Sequence, residues 1–355
     1  MKILYITPLY FPHIGGLEYV VKSVAERLAR LGHEVIVLTG EPSIDKPREE
    51  LVNGVRVVRW PTWSPGRAYH FPRKREELEK TLKEFSKDVD AVHIHSVHSI
   101  ISMHSLYVLK NYVGRIVVTP YYHGTGHTAI RRFLWIFWRK YVGSLLKGCV
   151  VHTVSKLEAN LVKQDFGVEA IPIENGVEEW IRELEWEPKG YVMYSGRIEK
   201  YKNIDVLARI VGILNNRYGL DLELKIFGRG AYRRELEDQL KRLGIPYEIE
   251  DFKPFKEYIE TLRHATLFGL LSEKESYPQS INEANAIGVP VVIGKPWGLN
   301  FEGRKRTLIV DINQPIDVLT VKVYEFLKKV HLEEKSFVPT WNIVALEYMK
   351  KLYGG

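Results

Sequence analysis

Short, almost wholly apolar runs alternate along this chain with longer stretches in which apolar positions recur every three or four residues. The short runs read as buried strands and the longer stretches as amphipathic helices. In the first half the runs predict strands near Ile3–Thr7, Glu34–Thr39, Val55–Trp60, Ala91–His95, Arg115–Thr119 and Cys149–Val154. A helix over Leu17–Leu31 carries the apolar stripe Leu17, Val20, Val21, Val24, Leu28 and Leu31. The second half starts the alternation afresh, with strands near Tyr191–Ser195, Leu222–Phe227, Tyr247–Phe252, Ala265–Leu271, Val289–Ile293 and Thr307–Val310. Val177–Pro188 reads as a linker between the halves. Strands that alternate with helices, without internal repeats or low-complexity stretches, imply parallel sheets.

Size adds the domain count. A single core rarely grows past ~250–300 residues, and 355 residues with 45% hydrophobic content suffice for two cores. The expected class is α/β: two doubly wound Rossmann-like domains, 1–175 and 176–339. Such domains bind ligands beyond the carboxyl ends of their strands, so the expected site is a cleft across which those ends face each other. No apolar run reaches the roughly 18 residues that span a bilayer. Met1-Lys2 lead directly into the first strand without a signal-peptide pattern, so a cytoplasmic location is expected. The lone cysteine, Cys149, excludes an internal disulfide and a Cys-based zinc cage.

Charge separates the halves. Residues 1–175 hold 24 Lys and Arg against 17 Asp and Glu, and residues 176–355 hold 27 against 27, so the net +7 lies wholly in the first half. Such an excess attracts anionic partners, among them phosphorylated acceptors and acidic lipid surfaces. Zinc-finger spacing, RNA-recognition signatures and base-reading basic helices are lacking, so no nucleic-acid partner is expected.

Candidate chemistry gathers at the ends of the predicted strands. Glu275 and Glu283 lie eight residues apart around a strand-to-helix turn, because Pro278 cannot sit inside a helix and Ala265–Leu271 reads as the strand before it. Glu283 then falls in the first helical turn, where Ser280 with Glu283 also spells a capping box. Ser195-Gly196-Arg197 to Lys202-Asn203 places two cations beside a helix that Asn203 can cap, a setting for a diphosphate, although two solvated surface cations fit as well. Gly15-Gly16 precede the first helix, where backbone amides can close on an oxyanion. An ordinary glycine turn is the alternative, since the Rossmann pattern of three spaced glycines is absent. His123-Gly124 follow the strand Arg115–Thr119, and His123 there can bond a hydroxyl or stabilise developing charge. His93, His95 and His98 look like a metal cluster, yet two of them share one face of a short strand and lack matching acidic ligands, so no metal is expected. Arg131 to Tyr141 mixes cations with large aromatics, which fits either a core helix with snorkelling basic ends or contact with a membrane surface.

The segment Leu271–Val292 resembles the E-x7-E signature of the family 4 retaining glycosyltransferases, which share the GT-B fold. The resemblance implies that Glu275 contacts the donor sugar and Glu283 the ribose hydroxyls, with Tyr277 between them at the nucleotide. It implies that Gly196, Arg197 and Lys202 form the family's phosphate-binding Gly-Arg-x4-Lys motif, and that Gly228 and Gly230 form its Gly-x-Gly turn beside the nucleotide. Gly15 and Gly16 match the Gly-Gly-x-Glu loop bordering acceptor and donor phosphate, and His123 the histidine that contacts the donor sugar. Asn175-Gly176 and Val154-Ser155 match its Asn-Gly-Val hinge and Val-Ser, and 340–355 its last helix, which crosses back onto the first domain. The sequence departs from the pattern at Ser276 and Pro278, where glycines are usual, and at Gly294–Gly303.

The implied activity is transfer of a sugar from a nucleotide-diphosphate donor, UDP- or GDP-linked, to an acceptor hydroxyl with retention of configuration, in carbohydrate biosynthesis. Arg197 and Lys202 would stabilise the leaving diphosphate while Glu275 and His123 orient the sugar, and no enzyme nucleophile, cofactor or metal is expected. Asp88-Val-Asp90, the only DxD, precedes a buried strand. The acceptor, whether a sugar, lipid-linked or phosphate-linked, is unassigned, and peripheral contact at the inner membrane face fits a lipid-linked one. A sugar-nucleotide epimerase and a non-catalytic nucleotide-sugar-binding protein are the alternatives.

Overall fold

The computed structural model describes residues 1–13, 15–65, 69–112, 114–124 and 129–354, with only the backbone of 129–134. It divides into two compact units: 1–175 together with 341–355, and 176–340.

In the first unit nine strands form one sheet among the described residues: β1 (Lys2–Thr7), β2 (Glu34–Glu41), β3 (Arg48–Val52), β4 (Val55–Trp63), β5 (Phe71–Pro72), β6 (Ala91–His95), β7 (Arg115–Thr119), β8 (Val150–Thr153) and β9 (Ala170–Pro172). Their order is β3-β4-β2-β1-β6-β7-β8-β9, with β5 beside β4, and all pairings are parallel except those of β3 and β5 with β4. Helices α2 (Arg75–Phe85), α3 (Ile100–Val108), α4 (Ala129–Leu146) and α5 (Lys156–Phe166) join one hydrophobic cluster; α1 (Gly16–Arg30) joins the other with the C-terminal helix. Both faces of the sheet are thereby covered, which is why β1 and β2 are apolar without alternation. Strands β3, β5 and β9 were not expected. Arg48-Glu-Glu-Leu-Val is a charged antiparallel edge and the other two are very short, so neither periodicity nor apolarity marks them. Leu31 is no part of the stripe on α1: it stands at the helix C-cap, exposed.

The C-terminal helix, Trp341–Glu347 continued by Tyr348–Tyr353, docks on this unit through fully buried Trp341 and a polar chain. His152 Nε2 faces the Ile173 carbonyl at 3.2 Å and must donate, leaving Nδ1 to accept from Thr119, 2.8 Å away. Thr119 in turn accepts from His93 Nε2 at 2.7 Å; His93 Nδ1 then accepts from Tyr353 at 2.6 Å, and Tyr353 from Tyr5 at 2.6 Å. One set of tautomers satisfies every member with both imidazoles neutral, and burial depresses both histidines, His152 to about 4. The apparent metal cluster is thus partly this network, with His95 stacked on His93 at 4.2 Å.

The second unit has six strands among the described residues, β10 (Tyr191–Ser195), β11 (Glu223–Phe227), β12 (Tyr247–Glu250), β13 (Leu267–Leu270), β14 (Val291–Gly294) and β15 (Thr307–Val310), all parallel, in the order β12-β11-β10-β13-β14-β15. Its helices are α6 (Ile204–Tyr218), α7 (Arg233–Leu243), α8 (Phe255–Arg263), α9 (Gln279–Ile287) and α10 (Ile316–Lys329). Neighbours β10 and β13 run into different crossovers, which makes the turns at their carboxyl ends the switch point of this sheet. Val177–Pro188 is not a free linker: Glu179–Glu183 forms a short helix with Ile181 fully buried, packed on α9.

Candidate functional site

The turn after β10 is fastened to the turn after β11 backbone to backbone. Gly196 N donates to Phe227 O at 3.0 Å, Ile198 N to Arg229 O at 2.9 Å, and Tyr232 N to Ile198 O at 3.1 Å. A Cβ at Gly228 would collide with the Gly196 carbonyl, and one at Gly230 with that of Ile198, so this close approach itself requires both glycines. Arg197 projects into solvent, its Nη2 donating to the Tyr201 hydroxyl at 2.9 Å. Lys202 is buried at the end of the short helix Lys200–Lys202, and its ammonium forms an ion pair with Glu275. Asn203 does not cap α6 with its side chain. It adopts a left-handed φ of 51° at the N-cap position, and its Nδ2 donates to Leu271 O at 3.0 Å, tying the start of α6 to the end of β13.

Glu275 lies on the loop between β13 and α9. That loop is held by Glu273, whose N donates to Tyr201 O at 2.9 Å and whose carbonyl accepts from Trp297 Nε1 at 2.7 Å. Tyr277 points inward: its hydroxyl donates to Asn282 Oδ1 at 3.1 Å and accepts from Arg304 Nη2 at 2.9 Å, and its ring meets Phe301 at 4.9 Å. Arg304, which also donates to Asn282 and Asn285 at 2.7 and 3.1 Å, went unrecognised because Arg304-Lys-Arg306 resembles a run of solvated cations.

No capping box forms at α9. Pro278 occupies the N-cap position, Ser280 is already the second helical residue, and Glu283 is the fifth. Glu283 is almost fully buried. Desolvation raises its carboxyl to about 8, against the lowering effect of a hydrogen bond from Tyr258, with Glu178 adding a further raise. A buried carboxyl of this kind can exchange its proton and accept from ligand hydroxyls at neutral pH.

In the first unit Gly15 is the N-cap of α1 and Gly16 its first residue. Glu18 folds back over this end: a Cβ at Gly15 would strike its carboxylate, and burial raises its pKa despite a bond from its own backbone N–H. Gly16 has open space where a Cβ would be. His123 follows β7, half-buried, its ring stacked on His98 at 4.9 Å, which stacks on Trp135 at 4.8 Å. The end of this loop, including His127, lies outside the described residues. Glu158 was overlooked, although Ser155-x-x-Glu158 spells a capping box. It is fully buried, accepts from Tyr122 N at 2.6 Å and Val154 N at 3.0 Å, and burial lifts it to about 7.

The switch point of the second sheet thus carries a buried lysine paired with a partly buried glutamate, an exposed arginine and a buried carboxyl. Two family models together span most of the chain: Glycosyltransferase Family 4 matches residues 14–179, and Glycosyl transferases group 1 matches 176–301. The chain belongs to this glycosyltransferase family. An uncharacterized glycosyltransferase of Methanocaldococcus jannaschii is 28% identical, the match covering 84% of this chain and 82% of the relative. A GDP-mannose-dependent alpha-mannosyltransferase of Mycolicibacterium smegmatis is 25% identical over 82% of this chain and 79% of its own. Among solved structures, sucrose-phosphate synthase from Thermosynechococcus elongatus superposes with a TM-score of 0.71 at 17% identity, covering 99% of this glycosyltransferase and 94% of that chain. The transferase therefore has the GT-B fold of two Rossmann-like parallel-sheet domains and transfers sugar from a nucleotide sugar. No described helix is long and apolar enough to cross a membrane.

Proposed function

We propose that the transferase moves a hexose with retention from a UDP- or GDP-linked donor to an acceptor hydroxyl, without a metal ion. The observation that carries this reading is the pairing of Lys202 with Glu275, which places a cation and a carboxylate on neighbouring turns at the sheet's switch point. Lys202 and Arg197 stabilise charge growing on the departing diphosphate, the task a metal performs elsewhere. Glu275 and His123 orient the sugar, and Glu283 holds the ribose hydroxyls. Gly15 and Gly16 offer backbone amides to the phosphate, with Gly196, Gly228, Gly230 and Tyr277 shaping the turns that receive the nucleotide. The GDP-mannose dependence of the mycobacterial relative makes GDP-mannose the first donor to try. The test follows nucleoside diphosphate release in EDTA and the anomeric configuration of the product by NMR. Release that survives EDTA and gives the retained anomer supports the reading; loss of activity in EDTA, or an inverted product, overturns it.

A second proposal concerns the acceptor side. Ile136, Phe137 and Tyr141 on α4 are 47%, 61% and 39% exposed, and the neighbouring Tyr107 carries Lys110 over its ring at 4.8 Å. Arg131 to Leu134 have no described side chains. The opposite face of the same stretch packs on the core through Trp138, Val142 and Leu146, so the exposed side chains form one face of a core-packed helix. We propose peripheral contact with an anionic lipid surface, which suits a lipid-linked acceptor. Sedimentation with phosphatidylglycerol vesicles at low salt should capture the protein; failure to bind removes the proposal.

A further inference from the structure

We propose that Glu158 is the positioning residue for His123, fixing the loop that presents this histidine to the transferred sugar. The inference rests on the reading that His123 contacts that sugar. Helix α5 begins with Ser155, whose hydroxyl accepts from Glu158 N at 3.1 Å, so its N-terminus is already capped without help from the glutamate carboxylate. The carboxylate nonetheless lies fully buried, an expensive placement for a group that a helix start does not need. One oxygen accepts from Val154 N, one residue before that cap, at 3.0 Å. The other reaches across to a different segment, the turn after β7, accepting from Tyr122 N at 2.6 Å; Tyr121 N donates to the carboxylate as well.

That turn needs holding. Tyr121 stands at a left-handed φ of 51°, a conformation that costs of order 1–3 kcal/mol for a residue other than glycine. Two successive amides directed at one carboxylate are the geometry of an anion nest, here closed on a side chain of the same unit. Tyr122 adds a second hold, its hydroxyl donating to Asp165 and accepting from Trp135 Nε1 at 3.3 Å. With both residues before it fixed, His123 has little backbone freedom and lays its ring on His98 at 4.9 Å. A misplacement of about 1 Å at such a residue can cost about a hundredfold in rate.

The test compares affinities for GDP and GDP-mannose, and in parallel UDP and UDP-glucose, by calorimetry of the full chain. His123→Ala should weaken sugar-nucleotide binding about tenfold and leave the free diphosphate unchanged. Glu158→Gln should give the same pattern with a smaller, several-fold loss of sugar-nucleotide affinity, because its amide group turns an N–H toward the loop amides. Adding Tyr121→Gly to that variant should restore the sugar preference, since glycine holds a φ near 51° unaided. A residue that merely stabilises the fold lowers both affinities together and is not rescued by the glycine. If His123→Ala leaves the preference unchanged, the underlying reading of His123 fails. If His123→Ala lowers the preference and Glu158→Gln does not, the positioning role is overturned. Should Glu158→Gln not fold, hydrogen exchange in the wild type decides: slow exchange at Tyr121 and Tyr122 supports the clamp, and fast exchange overturns it.

Discussion

Replacing Glu275 by Gln should tighten the binding of free nucleoside diphosphate while weakening the ligand-free protein. Lys202 and Glu275 keep only 9% and 17% of their side chains exposed, so their attraction is little screened by solvent. Two unit charges about 4 Å apart at an effective dielectric of about 20 attract by about 4 kcal/mol. A neutral amide keeps the hydrogen bond, and water reorganises around the vacancy, so roughly half of this, about 2 kcal/mol, is the expected loss. That amount should lower the midpoint of thermal unfolding by roughly 5 °C. If Lys202 binds the diphosphate as proposed, a diphosphate entering the wild-type protein shares the ammonium with Glu275, whereas in the variant it supplies the missing counter-charge, so the same 2 kcal/mol should return as an affinity gain of about thirtyfold. Calorimetric titration with GDP and UDP, beside thermal unfolding in their absence, measures both sides of this cycle. Unchanged or weaker diphosphate binding, whatever the unfolding midpoint, would refute the competition between carboxylate and diphosphate for Lys202.

Three further outcomes are expected. Glu283, raised from 4.5 to about 8, favours the folded state fully below pH 4.5 and loses that contribution as pH climbs through 8. Glu283→Gln should therefore become progressively more stable than wild type between pH 5 and pH 8.5, by at most about 1.4 kcal/mol per pH unit, and parallel curves would contradict the buried neutral carboxyl. His152, lowered from 6.5 to about 4, contributes stability above pH 6.5 that is lost as pH falls toward 4, so acid should expose Trp341 on the C-terminal helix, visible as a red-shifted emission. Tyr353→Phe removes the donor to His93 and should cost about 1–3 kcal/mol by denaturant unfolding; a neutral effect would mean that the chain of bonds is not formed.

The parallel sheets were legible because their strands are buried on both faces, as in Ile3-Leu-Tyr-Ile and Val291-Val-Ile, and such strands need no partner to be recognised. The edge Arg48–Val52 was not, since a strand open to solvent is as polar as a loop. Glu275, Lys202 and Arg197 were legible as residue types at strand ends, where turns carry chemistry. Their partners were not: Lys202 with Glu275, Tyr122 with Glu158 and Tyr277 with Arg304 are 73, 36 and 27 residues apart, distances at which no local periodicity applies. Caps failed for a related reason. Asn203 and Ser280 have the right side chains, but a tie to Leu271 and the entry fixed by Pro278 override local preference.

Lys202 and Glu283 are proposed to belong to one nucleotide site in the second unit. Calorimetry of the wild type, Lys202→Ala and Glu283→Ala against GDP, UDP and ADP tests this most directly. Binding of one nucleoside diphosphate by the wild type, lost or weakened at least tenfold in both variants, is the predicted result. Equal binding by all three proteins would contradict it, as would no binding of any nucleotide by the wild type.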